Sequence, residues 1–252
     1  MNSLAAKQFF AVFGTLSFLA TVALLLAATA VIIGSLVIGE SHVSQAASAV
    51  LAWLFSGRGL RAKIGAALLV LVAGYAAVLV TVSLSSSEIT LQPGAEKYFC
   101  QVDCHLAYSV TNAATEAEVN GVHPQGVFYV VTLRTRFDET TISAHRGDSP
   151  LEPSPRALFL VDSAGNRYPV SAAAQSALVS SDAAGTSLSS ALRPGESYTS
   201  TFAFDLPAGA HDLRLDVDSP SNPTWISSIV IGDEDSFLHK KTYLALAAPH
   251  TP

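Results

Sequence analysis

The stretch KYFCQVDCHLAYSV, Lys97 to Val110, decides how the rest of the chain is read. Its even positions are apolar or thiol: Tyr98, Cys100, Val102, Cys104, Leu106, Tyr108 and Val110. Its odd positions include Gln101, Asp103, His105 and Ser109, with Phe99 and Ala107 as exceptions. Alternation with period two is the pattern of a half-buried strand, because successive side chains point to opposite faces of a sheet. The spacing therefore predicts one continuous strand over this stretch. Both cysteines of the chain lie in it, with a histidine directly after the second.

Working outward, the two sides of this strand differ in composition. The chain has 252 residues, of which 50% are hydrophobic and only 13% charged, against about 25% charged in an ordinary soluble domain. The apolar excess lies before Ser85. Lys7, Arg58, Arg61 and Lys63 are the only basic residues there and Glu40 the only acidic one, so ten of the 14 Lys+Arg and nineteen of the 20 Asp+Glu follow. A part this acidic repels phosphate backbones and anionic lipid surfaces, which argues against nucleic acid as a partner. Two cysteines are too few to frame a disulfide scaffold, and about 165 residues can bury a core without one.

The N-terminal part, residues 1–84, reads as a membrane anchor. Phe9 to Gly39 is apolar almost without interruption, and Ile64 to Leu84 is a second such run; each exceeds the roughly 20 residues that cross a bilayer. A cleaved signal peptide is the competing reading of the first run. Against it, the run far exceeds an h-region and its basic flank is only Lys7. Residues 46–55, AASAVLAWLF, are too few to cross and are expected in the interface, with Trp53 at headgroup depth. Arg58, Arg61 and Lys63 precede the second span, so the positive-inside rule places that loop in the cytoplasm and everything after Leu84 outside it. Gly14, Gly34, Gly74, Ala76 and Ala77 leave room for close packing against another helix.

Residues 85–252 read as an antiparallel β-sandwich. Strands are expected at Ser85–Leu91, along the cysteine stretch, and at Val127–Glu139, with Arg134 and Arg136 opposite an apolar face. More follow at Ala157–Val161, Arg167–Val170, Ser197–Leu206, Asp212–Val217, Trp225–Ile231 and around Phe237–Leu246, with a short helix around Ala172–Leu178 and a loop over Thr141–Pro155. Many short alternating strands separated by turn residues suit a two-sheet sandwich.

LRPGESYTSTFAFDLP (Leu192–Pro207), followed by FLHKKTYLAL (Phe237–Leu246), resembles bacterial membrane-anchored immunoglobulin-like domains of unknown function. The resemblance covers about the last third of the chain. It implies an immunoglobulin-like sandwich held on the outer side of a bacterial inner membrane, and it implies no reaction.

Cys100, Cys104 and His105 form the pattern C-x3-C-H. One reading is structural: small apolar residues in a core, or a disulfide. Residues four apart in a straight strand lie about 13 Å apart at Cα, whereas a disulfide needs under about 7 Å, so pairing demands that the segment bend. The other reading is a copper or thiol-redox module, since two thiolates and an imidazole suit copper or zinc, with His239 as a fourth ligand. In layout the chain also resembles cytochrome c oxidase subunit II, which has two membrane helices and an outward β-domain with a C-x3-C copper loop. Here, however, Cys100 lies at the start of the domain, His105 and Tyr108 stand where that family has glycine and histidine, and the only methionine is Met1.

Arg146-Gly147-Asp148 spells an adhesion tripeptide within a loop, and His123, His145 and His211 are isolated loop histidines. No G-x-S-x-G, H-E-x-x-H, P-loop or dinucleotide fingerprint occurs. The expectation is a non-enzymatic envelope module without a cofactor. Its partners would be the lipid bilayer and another membrane or envelope protein, or a second copy; the alternative is the copper or thiol-redox centre.

Overall fold

The computed structural model describes residues 4–37, 60–99, 105–142, 145–218 and 226–246. Two long helices come first, α1 (Leu4–Val37) and α2 (Leu60–Leu84). They begin a few residues before the predicted spans. Residues 46–55 lie outside the described residues.

Nine strands follow: β1 (Ile89–Leu91), β2 (Lys97–Phe99), β3 (Leu106–Glu116), β4 (Val127–Phe137), β5 (Ala157–Val161), β6 (Arg167–Pro169), β7 (Ser197–Leu206), β8 (Arg214–Asp218) and β9 (Thr242–Ala245). They form a four-stranded sheet, β2-β3-β4-β7, and a five-stranded sheet, β1-β9-β8-β5-β6. One apolar core joins them: Leu106, Tyr108, Val131, Leu133 and Phe204 from the first sheet meet Leu158, Leu160, Leu215, Val217 and Leu244 from the second. A smaller cluster lies on the other face of β7, where Ala174 and Leu178 of helix α3 (Ala172–Ser180) cover Ala203, Phe128 and Val119. At the start of β4, Gly126 admits a close approach that a side chain would block, since a Cβ there would stand 2.1 Å from the Leu206 carbonyl oxygen.

Three expectations are corrected. First, Lys97–Val110 is not one strand. β2 and β3 are antiparallel neighbours, pairing Lys97 with Tyr108, Tyr98 with Ala107 and Phe99 with Leu106, so the chain reverses between Phe99 and Leu106. The inward face changes phase across the reversal. Lys97 is buried and Phe99 packs on the core in β2, whereas Leu106, Tyr108 and Val110 do so in β3. Phe99, the exception to the alternation, belongs to the core, and Tyr98 points to the opposite face. Apolar residues happen to occupy even positions on both sides, so the pattern read straight through the turn.

Second, residues 226–231 are not a strand. Ser227–Ile229 is a 3₁₀ turn, and the extended path is broken by positive φ at Gly232 (79°) and Leu238 (65°). The last strand starts only at Thr242. The apolar run is there because it meets the helices: Tyr75 Oη donates to the Ile229 carbonyl at 2.6 Å, and Ile231 is buried. Third, the sandwich is not wholly antiparallel. β1 runs parallel to β9, pairing Ile89 with Thr242 and Leu91 with Leu244. These strands are remote in sequence, so no hairpin constrains their direction.

Candidate functional site: the β2 strand and its charged surroundings

β2 carries polar groups on both faces, and each face has its own network. Inward, the Lys97 side chain is 1% exposed. Its ammonium donates to the Val217 carbonyl at 2.8 Å, the Thr242 carbonyl at 2.7 Å and Glu234 Oε1 at 2.8 Å, so all three protons are used. Glu234 Oε1 also accepts from the Thr242 N–H. One cation on the first sheet thus holds β8 and β9 of the second, together with the loop between them. A buried ammonium is tolerable because its donors are satisfied; removing one partner of such a pair generally costs about 3–5 kcal/mol.

Outward, the row Tyr98–Ala107–Arg136 across β2, β3 and β4 brings charges together. Glu96 accepts from Arg136 Nε at 2.8 Å, Arg136 Nη2 at 2.7 Å and Arg134 Nη2 at 3.1 Å. The Tyr98 hydroxyl donates to Asp138 Oδ2 at 2.6 Å, and Asp138 Oδ1 accepts from the backbone and hydroxyl of Thr140. The hydrogen bond from Arg136 is the main cause holding Glu96 below the usual carboxylate range. Burial works against ionisation of Asp138, but donors from Tyr98, Thr140 and Arg136 outweigh it and bring its pKa down to about 2.

A third cluster borders the Lys97 pin. Arg167 reaches Asp216 at 3.0 Å and Asp218 at 2.9 Å, and Lys241 reaches Asp218 at 2.7 Å and Asp235 at 2.5 Å. Burial pushes the Asp216 carboxyl up. Burial would do the same to Asp218, yet the hydrogen bonds from Lys241 and Arg167 bring it to about 2. Chemically these are ion pairs with their donors engaged, suited to holding a sandwich edge together. With the Lys97–Glu234 pair, such partners lie up to 137 residues apart, so no local sequence signal could have announced them.

Of the four candidate metal ligands, Cys100 and Cys104 lie outside the described residues. His105 is buried, stacks on the Phe137 ring with centroids 5.4 Å apart, and its Nδ1 lies 3.2 Å from Thr141 Oγ1. His239 sits before β9 with Nδ1 2.9 Å from the Lys240 carbonyl. Among the described residues, no group of three or more His, Cys, Asp or Glu is arranged to hold a metal ion. The adhesion-like tripeptide is tied into the fold: Arg146 lies over the Phe137 ring at 4.6 Å, and Asp148 pairs with Arg193 at 3.2 Å.

No protein-family model matches the chain, and no curated protein matches it at a significant level. Among solved structures, a secreted protein of Mycobacterium tuberculosis, MPT63, is similar over 54% of this chain and 94% of its own, at 16% identity and a TM-score of 0.38. A conserved hypothetical protein from Bacillus anthracis is similar over 51% of this chain and 89% of its own, at 16% identity and a TM-score of 0.37. Both scores are below the level at which a shared fold is fixed.

Proposed function

We propose that the chain is a membrane-anchored, extracytoplasmic binding or accessory-subunit module of the bacterial cell envelope, and not an enzyme. The observation that carries this reading is the surface of the two helices. Leu16, Leu19, Leu24 and Leu26 of α1 are 55–67% exposed, and Leu69 and Val70 of α2 are 71% and 69% exposed. A core helix of a water-soluble domain would bury such residues, and so large an apolar surface is at home only in lipid or against another protein. A signal sequence would account for α1 but not for α2. We read the two-sheet domain as immunoglobulin-like, displayed on the outer side of the inner membrane. Its described polar clusters are knit into ion pairs rather than set out as a nucleophile with its base, which suits a binding or scaffolding role.

Gly74 of α2 has open space beside it and Ala76 and Ala77 are exposed, which supports a helix partner there. Affinity purification of the tagged chain from membranes, at native expression in mild detergent, is expected to recover a stoichiometric envelope partner or a homo-oligomer. A clean monomer would contradict the accessory-subunit reading.

A second reading, a copper or thiol-redox centre at Cys100, Cys104 and His105, is favoured by one observation. The Phe99–Leu106 pairing turns the chain back on itself, so the distance objection raised by a straight strand no longer applies to the two thiols.

A further inference from the structure

We propose that the loop spanning Ile226 to Leu238 is a third membrane contact, inserting Ile226, Phe237 and Leu238 among the lipids of the outer leaflet beside α1 and α2. This rests on the reading above that the two helices cross the membrane.

The first observation is where the loop sits. It touches both helices: Tyr75 of α2 donates to the Ile229 carbonyl, and Gly14 of α1 lies so close to Ile231 that a Cβ would stand 1.8 Å from its carbonyl oxygen. The two contacts agree in level. Gly14 is ten residues from the start of α1 and Tyr75 nine from the end of α2, about 15 and 13 Å along the axes. A hydrocarbon slab of about 30 Å takes about 20 residues. Counted from Ile64, where the apolar run of α2 begins after Lys63, it would end near Ser83, roughly 12 Å beyond Tyr75. The loop's contacts with the helices therefore lie below the outer boundary, at the level of the acyl chains.

The second observation is that much of the loop's backbone is paired within the loop, which lowers the cost of entering lipid. The N–H groups of Ile229, Val230, Asp233, Ser236, Phe237 and His239 each donate to a carbonyl within the loop, to Ile226, Ser227, Val230, Asp233, Ser228 and Ser236 respectively. The Ile229 carbonyl takes the Tyr75 hydroxyl.

The third is the sorting of its side chains. The run Asp233-Glu234-Asp235 would forbid insertion if it faced outward, but every member is turned to the protein. Asp233 Oδ1 accepts from the Asp235 N–H, Glu234 pairs with Lys97, and Asp235 pairs with Lys241. What faces out is apolar: Ile226 is 40%, Phe237 60% and Leu238 48% exposed. Lys240 follows, exposed, and suits the headgroup layer. The occupant this pattern fits is the acyl-chain boundary of the leaflet that already surrounds the helices.

The test uses the full chain in lipid nanodiscs, in a Trp53→Phe/Trp225→Phe background carrying one new tryptophan at a time. Phe237→Trp and Ile226→Trp are each expected to emit to the blue, to lose emission to acyl-chain-brominated lipid, and to resist aqueous iodide. Val179→Trp, at an exposed position on α3, should be quenched by iodide and not by bromolipid. Leu69→Trp reports on the spanning helix itself. If bromolipid leaves Leu69→Trp bright, the membrane reading fails. If it quenches Leu69→Trp and either loop position stays bright, the loop inference alone is overturned. Quenching of the loop by iodide would then place it in water, and protection from both quenchers would place it under a protein partner.

Discussion

At the scale of the residue, the domain is held by a few charged side chains whose partners come from far along the chain. Lys97 reads in the sequence as the polar opening of a strand, yet it is buried and satisfied by two carbonyls and Glu234. Arg134 and Arg136 were legible as outward residues because β4 alternates cleanly, but their shared partner Glu96 was not. Asp138 has a measurable consequence. Its folded pKa of about 2 lies below its ordinary value of 3.8. Its contribution is therefore fully present above about pH 4 and lost as pH falls through about 2, and the shift corresponds to about 2 kcal/mol. Asp138→Asn is expected to lower stability at neutral pH by that order and to flatten the acid limb between pH 4 and 2. Denaturant titrations of the detergent-solubilised protein, followed by near-ultraviolet circular dichroism, measure both; an acid limb unchanged by the substitution would contradict the network described for Asp138.

At the scale of the element, alternation was a good guide wherever a strand runs long against the core. β4, β5 and β7 fall where the pattern puts them, within two residues at either end, and the helix α3 likewise. It failed where tertiary contacts change the phase. β2 and β3 keep apolar residues at even positions on both sides of a reversal, and Ile229 and Ile231 lie where the loop meets α2 and α1 rather than in a strand. The hairpin changes what the cysteines can do. With Phe99 opposite Leu106, a bond between Cys100 and Cys104 no longer requires two thiols about 13 Å apart to meet. In an oxidising compartment two neighbouring thiols are expected to be oxidised or metallated. Intact mass of the purified protein is expected to fall short of the reduced mass by two hydrogens, and to regain them with reductant. A protein that reacts fully with a thiol reagent before reduction, and carries no copper or zinc, would contradict both readings of the pair.

At the scale of the whole molecule, the chain joins a two-helix apolar unit to a two-sheet acidic domain, and the loop from Ile226 to Leu238 bridges them. The division was legible because the two parts differ so sharply in apolar and charged content; on the reading that the helices span a membrane, the side assigned to the domain rests on Arg58, Arg61 and Lys63. The account's central claim is that α1 and α2 cross the membrane and hold the β domain outside the cytoplasm. Fusing alkaline phosphatase, which is active only outside the cytoplasm, after Pro252 and separately after Gly59 tests it most directly. The fusion after Pro252 is expected to be active and the fusion after Gly59 silent. An active Gly59 fusion with a silent Pro252 fusion would contradict the orientation, and activity from both would contradict the two spans.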